Sequence, residues 1–268
     1  MKKSIIQGTD QPRTTKTLMA DLRALGVEQG MTLLVHSSLK SLGWVCGESE
    51  AVIQALMDAV TEEGTLILPA HSAVLSDPAD WQNPPVPKDW WEPIKESMPP
   101  FNPTTTPTWG VGLIPERFRS YPGVYRSNHP NMSMAAWGKH AAYITENHSL
   151  DNGLGERSPI AKAYELDADV LFLGTDFDSH TSFHLSEHRA GVRNTVAKGA
   201  PILMDGKRVW RNYLEIDYDD ECFGEIGKAF EGKHDVRIGK IGSATSKLFK
   251  LRPSVDFGVQ WLKEHKSK

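Results

Sequence analysis

The chain is expected to fold as an α/β protein with a mixed central sheet flanked by helices, and three observations support this. Strand-like apolar runs alternate with amphipathic helical stretches along much of the sequence. The run ADVLFLGTD, residues 168–176, is apolar without alternation, as suits a strand buried on both faces. PILMDGKRVW, residues 201–210, sets an Asp-Gly turn between apolar runs, the mark of a hairpin and hence of some antiparallel pairing.

Taken in order, TKTLMADLRALG places Leu18, Leu22 and Leu25 at helical spacing and ends at Gly26, a helix stop. MTLLVH, residues 31–36, follows as a strand. GESEAVIQALMDAV reads as a helix capped by Ser49, with Val52, Ile53, Leu56 and Val60 on one face. TLILPAH, residues 65–71, is the next strand. Residues 76–108 then hold nine prolines and three tryptophans, too interrupted for regular structure. This excursion reads either as an irregular surface segment pinned by Trp81, Trp90 and Trp91 or as a wall of a ligand pocket. Residues 1–268 otherwise read as one domain.

Composition narrows the function. With 39% hydrophobic and 24% charged residues, the 268 residues can bury one sizeable core. A formal charge of −4 gives no general attraction to nucleic acid or to an anionic membrane, so the expected partner is small. Cys46 and Cys222 are far apart and lack CxxC spacing, which suggests neither a disulfide framework nor a thiolate metal site. The polar N-terminus and the lack of any 18-residue apolar stretch lead us to expect a cytoplasmic protein.

The stretch HTSFHLSEHRAG, residues 180–191, carries the chemistry. His180, His184 and His188 recur at steps of four, so on a helix their imidazoles would share one face. HLSEH also fits the HxxEH pattern of inverted zinc peptidases, but that reading needs a third protein ligand. The bland alternative has one histidine facing inward while the others pack or meet solvent.

Distant segments decide between these. VHSSLKSLG (35–43), PPFNPTTTPTWGVGLIPERF (99–118), RSNHPNMSMAAWG (126–138), GERSPIAKAYELDADVLFLG (155–174) and DSHTSFHLSEH (178–188) occur in this order. The series resembles the aminoglycoside 3-N-acetyltransferases, also called antibiotic N-acetyltransferases, over nearly the whole chain. The resemblance implies that family's own α/β fold, distinct from GNAT acetyltransferases, whose R/Q-x-x-G-x-G/A loop has no counterpart in a strand-to-helix context here. It implies acetyl transfer from acetyl-CoA to the 3-amino group of 2-deoxystreptamine aminoglycosides, with no metal. Two alternatives stand beside it: the same fold and cofactor with another amine acceptor, and the zinc hydrolase.

The resemblance also implies roles. An ammonium must lose a proton before its nitrogen attacks a thioester, and histidine is the natural base near neutral pH. His184 occupies the family's T-x-x-H position, with a carboxylate expected on its other ring nitrogen. Asp178 and Glu187 are nearest in sequence. In the family the partner is a glutamate farther downstream, and in the shortened stretch WRNYLEIDYDDE this points to Glu215. His129 matches the family's HP motif, with a backbone-bonded structural role equally open. Backbone N–H groups or hydroxyls near Ser37, Ser38 and Ser133 are the oxyanion donors. The strand end His36, Ser37, Ser38, Leu39, Lys40 and Ser41, with Arg157 and Ser158 ahead of the helix opener Pro159, is expected to hold coenzyme A. Asp77, Asp80 and Asp176 are expected to meet a cationic acceptor.

Overall fold

In a computed structural model that describes residues 2–266, nine strands form two sheets. The strands are β1 (Thr32–Ser37), β2 (Thr65–Pro69), β3 (Tyr125–Arg126), β4 (Met134–Gly138), β5 (Asp169–Leu173), β6 (Thr195–Met204), β7 (Lys207–Ile216), β8 (Arg237–Ile241) and β9 (Ala244–Lys250). The main sheet runs β3-β4-β2-β1-β5-β9-β8. Its three central strands, β2, β1 and β5, are parallel, and the outer pairings are antiparallel.

Strand periodicity sorts the central residues into two apolar layers. Leu33, Val35, Leu66, Leu68, Leu171 and Leu173 face one cluster, which the helices Thr15–Leu25 and Glu48–Val60 cover with Leu18, Leu22, Ile53 and Leu56. Leu34, Ile67, Val170 and Phe172 face the other, covered by Phe183, Phe223, Val255 and Leu262. Each such side chain contributes about 1.5–3 kcal/mol on burial, so the sheet is stabilised from both faces.

Local signals explain most boundaries. Gly26 ends its helix in the left-handed conformation, its N–H bonded to the carbonyls of Arg23 and Leu22. Ser49 does not cap the next helix: Gly47 stands at that position without a side-chain bond, and Ser49 lies buried in the first turn. The Asp205-Gly206 turn forms as expected, both residues at positive φ, and joins β6 to β7. That hairpin is a separate two-stranded sheet, however, so the mixed character of the main sheet comes from β3, β4, β8 and β9.

The Pro/Trp-rich excursion packs on the hairpin. Leu75, Met98 and Phe101 make a small apolar cluster with Trp81, Ile94 and Trp210. The Phe101 N–H donates to the Pro201 carbonyl at 3.0 Å, the Arg208 Nε to the Met98 carbonyl at 2.8 Å, and Lys198 pairs with Asp80 at 3.1 Å. It contains one short α-helix, Trp91–Ser97, and two 3₁₀ turns, Pro78–Asp80 and Lys88–Trp90.

Candidate active site

β1 lies between β2, which follows it in the chain, and β5, which the chain reaches on the other side only after β3 and β4, so the strand order switches at β1 and a crevice opens beyond the carboxyl ends of these strands. A cavity of about 360 Å³ sits there, lined by His36 and Ser37 at the end of β1, Pro69 at the end of β2 and His71 beyond it, and Thr175, Asp178, Ser179 and Thr181 after β5. His184, Tyr218 and Asp220 complete its wall. A second cavity of about 560 Å³ adjoins it, lined by Ser37 to Lys40, Trp44, Val45 and the loop from Gly110 to Ile114. Ser37, Gly110 and Val111 line both.

His184 belongs to the helix Phe183–Ala190, which ends at Gly191 with φ 67°. Phe183, Leu185 and Ser186 are buried, and the Ser186 hydroxyl donates to the Val255 carbonyl of the C-terminal helix at 2.9 Å. These anchors turn His184 towards the cavity. Gly227 matters behind it, because a Cβ there would stand 2.0 Å from Phe177, and its absence lets the segment after β5 press against the helix Phe223–Glu231.

The His184 Nδ1 lies 2.7 Å from Glu187 Oε2. Glu187 is fully buried, which costs several kcal/mol for a carboxylate unless it is paired. Here Arg193 donates from Nε to Oε1 at 2.5 Å, and the Asp219 N–H reaches the same oxygen at 3.4 Å. Arg193 also pairs with Asp219 at 2.7 Å. Because the carboxylate can only accept, Nδ1 carries the proton and Nε2 is left to accept one. Tyr218 and Phe223 hold the imidazole at ring centroid distances of 4.6 and 4.8 Å.

A second histidine-carboxylate pair lies one helical turn away. The His188 Nε2 is 2.9 Å from the Tyr218 hydroxyl and 3.4 Å from Glu215 Oε1. Glu215 accepts from the N–H groups of Gly153 at 2.6 Å and Ile216 at 3.0 Å, and burial raises its carboxyl pKa. Glu215 is thus not bonded to His184, contrary to expectation, because Tyr218 and His188 separate them.

Other expectations are corrected by placement. Asp178 lines the cavity, but it makes no bond to His184. His129 is buried, its Nδ1 accepting from the N–H groups of Asn131 and Met132 at 3.2 and 3.0 Å and its ring 4.7 Å from His148. Burial lowers its pKa to about 4. The Ser133 hydroxyl donates to the Ala70 carbonyl and accepts from Arg126. His180 precedes the helix rather than sharing its face; it is fully buried and bonds Ser254 at 3.0 Å. Ser158 caps its helix and Arg157 pairs with Asp151, so neither lines the second cavity. His36 faces the histidine-bearing cavity, and Ser41 bonds the Ser38 hydroxyl at 2.8 Å. Asp77 pairs with Lys95, Asp80 with Lys198 and Asp176 with Lys247, away from the crevice. The tryptophans of the excursion line neither cavity; the loop after it does, through Gly110 and Val111.

For the zinc alternative, both HLSEH imidazoles already hold hydrogen-bond partners, and no cluster of three His, Cys, Asp or Glu side chains among the described residues is placed to hold a metal. No helix among them is long and apolar enough to cross a membrane. Sequence reasoning missed His71, Tyr218 and Asp220. Only His71 carried a signal, its place at the end of the apolar run TLILPAH.

Residues 34–263 match the aminoglycoside 3-N-acetyltransferase family. The chain belongs to that family. The SPbeta prophage-derived aminoglycoside N(3′)-acetyltransferase-like protein YokD of Bacillus subtilis (strain 168) is 53% identical, over 99% of this chain and 98% of its own. The crystal structure of YokD superposes with a TM-score of 0.98, covering 99% of each chain. Aminoglycoside N(3)-acetyltransferase III of Pseudomonas aeruginosa is 36% identical over 94% of each chain. The family fold extends to AAC-IIIb, solved as a binary complex with CoASH, at a TM-score of 0.85 and 32% identity, covering 96% of this chain and 98% of that one. As an aminoglycoside 3-N-acetyltransferase family member, the protein is an acyltransferase.

Proposed function

We propose that the protein transfers the acetyl group of acetyl-CoA to the 3-amino group of a 2-deoxystreptamine aminoglycoside, with His184 as general base. The observation that carries this reading is the His184–Glu187 pair on the wall of a cavity that adjoins a second, largely apolar one at Ser37. The second cavity suits the pantetheine arm: Leu39, Val45, Val111 and Ile114 supply apolar surface, and Ser37, Ser38 and the bare backbone of Gly110 and Gly112 supply polar groups. A Cβ added at either glycine would meet nothing within 4 Å, so the loop leaves room beside it. Lys40 adds a cation for the phosphates.

Within this reading Glu187 keeps the His184 proton on Nδ1 and stabilises the imidazolium formed when Nε2 takes a proton from the ammonium. Arg193 pairs with Glu187 and orients it. Asp178 and Asp220, the two cavity carboxylates, attract the acceptor's other ammonium groups. The amine nitrogen bonds to the thioester carbon, the carbon–sulfur bond breaks, His184 passes its proton to the departing thiolate, and the second proton of the former ammonium then leaves the nitrogen through His184 to solvent.

A second acceptor is favoured by one observation. With Asp77, Asp80 and Asp176 ion-paired elsewhere, two carboxylates face the cavity, few for a polycation. Thiol release from acetyl-CoA against a panel of aminoglycosides and simple amines tests both readings, with the acetylated position read by NMR. Release driven by 2-deoxystreptamine antibiotics, with acetylation at the 3-amino group, is expected. Release driven by simple amines alone would replace the acceptor, and no release with any amine would overturn the transferase mechanism.

A further inference from the structure

His71 stands on the wall of the histidine-bearing cavity, directly after β2. Its backbone surroundings are tightly fixed. The Ala70 N–H donates to the Ser133 carbonyl at 2.8 Å and the Ser72 N–H to the Asn131 carbonyl at 3.0 Å. Arg126 donates to the Ala70 carbonyl at 2.6 Å and to the Ser72 hydroxyl at 2.7 Å. The His71 carbonyl accepts from the Trp109 N–H at 2.7 Å, which ties His71 to the loop whose Gly110 and Val111 line both cavities.

Against this rigid backbone, the His71 Nε2 is buried and has no hydrogen-bond partner. An unsatisfied buried polar group costs about 1–3 kcal/mol, and the expected remedy is a partner that arrives with a ligand. His36 Nε2 is also unpartnered, but its ring packs into the aromatic layer, 5.7 Å from Phe172 and 6.2 Å from His180. His71 is tied to the seam between the cavities through the Trp109 N–H, next to Gly110. Burial, reinforced by His184, His36, His129 and Arg126 around it, lowers the His71 pKa to about 3. The ring is therefore neutral whenever His184 can act as a base, and a neutral imidazole with hydrogen on Nε2 is a fixed donor that does not compete for the transferred proton.

We infer that His71 is a catalytic residue whose Nε2–H donates to the thioester carbonyl oxygen of acetyl-CoA at the seam between the two cavities. The inference rests on the acyl-CoA reading above. As the amine nitrogen bonds to the carbonyl carbon, the C=O electron pair moves onto that oxygen and the His71 N–H stabilises the developing charge. The pair returns as the carbon–sulfur bond breaks, His184 gives its proton to the thiolate sulfur, and the remaining extra proton on the nitrogen then passes through His184 to solvent. Donors of this kind pre-positioned for a developing oxyanion are worth about 10²- to 10³-fold in turnover.

Binding of [1-¹³C]acetyl-CoA without acceptor gives the first test. In the parent protein the bound carbonyl resonance should move downfield, and in His71→Leu it should fall back towards its position in solution. In turnover, His71→Leu should lose about 10²- to 10³-fold in kcat with both KM values within a few-fold. His71→Gln, which retains an N–H donor, should recover much of the loss. An unmoved carbonyl line in the parent protein overturns the inference even if the variants do not fold. Equal losses in the leucine and glutamine variants, or losses confined to KM, make His71 structural and also overturn it. Failure of acetyl-CoA to bind at all removes the acyl-CoA reading together with this one, whereas binding with an unperturbed carbonyl removes this one alone.

Discussion

Two histidine-carboxylate pairs lie one turn apart on the same helix, and they differ in what the second ring nitrogen meets. His184 gives Nδ1 to Glu187 and borders the cavity, while His188 directs Nε2 into a closed cluster with Tyr218 and Glu215. The carboxylates differ too: Glu187 is paired with Arg193, whereas Glu215 sits among backbone N–H groups and burial favours its protonated form. On the proposed reading, a histidine beside a carboxylate is not enough to make a base. The pair must be held by a cation and must leave its accepting nitrogen beside open space.

Alanine in place of each histidine separates the pairs most widely. His184→Ala should cost about 10²- to 10⁴-fold in kcat, with coenzyme A affinity within a few-fold. His188→Ala should leave turnover within about tenfold and instead lower stability by about 1–3 kcal/mol, since Tyr218 and Glu215 lose a buried partner. Steady-state kinetics and urea unfolding on both variants check this, and a comparable collapse of turnover in the two would erase the distinction.

Amide substitution of the carboxylates sharpens it. Glu187→Gln removes the charge that stabilises the imidazolium and loosens control of the tautomer, for a loss on the order of 10²-fold in kcat, within the 10⁴-fold known for a triad carboxylate. Glu215 does not touch His184 and bonds the backbone N–H groups of Gly153 and Ile216 instead, so Glu215→Gln should change kcat by a few-fold at most. A larger effect at Glu215 than at Glu187 would reverse the assignment of the two pairs.

The last expected effect concerns stability and not turnover. His36 and His129 are buried with pKa values lowered to about 4, and His180 is lowered well below the usual histidine value, in each case chiefly by burial. All three bind a proton more readily unfolded than folded. Their contribution is complete above about pH 6.5 and is lost as pH falls towards 4, by up to about 1.4 kcal/mol per pH unit for each. Urea unfolding between pH 7 and 5 should show this slope, and His180→Gln should flatten it. A stability independent of pH in that window would contradict the buried, neutral state of these rings.

Much of this was legible in the sequence. β1, β2 and β5 could be located because central parallel strands are apolar on both faces, and His184 because its motif is local. The choice between Glu187 and Glu215 depended on how the helix Phe183–Ala190 rotates, which Phe183, Leu185 and Ser186 decide through contacts distant in sequence. Asp77, Asp80 and Asp176 looked available because their lysine partners, apart from Lys95, lie far along the chain. His71 stayed hidden for the same reason: its neighbours in the crevice come from β1, from the helix bearing His184 and from the Gly110 loop.

The shared boundary at Ser37, Gly110 and Val111 has a kinetic consequence. On the proposed reading each ligand has a compartment of its own, and the two meet where the acyl group changes hands. Donor and acceptor would then be bound together, and the acetyl group would pass straight from thioester to amine without a halt on a side chain.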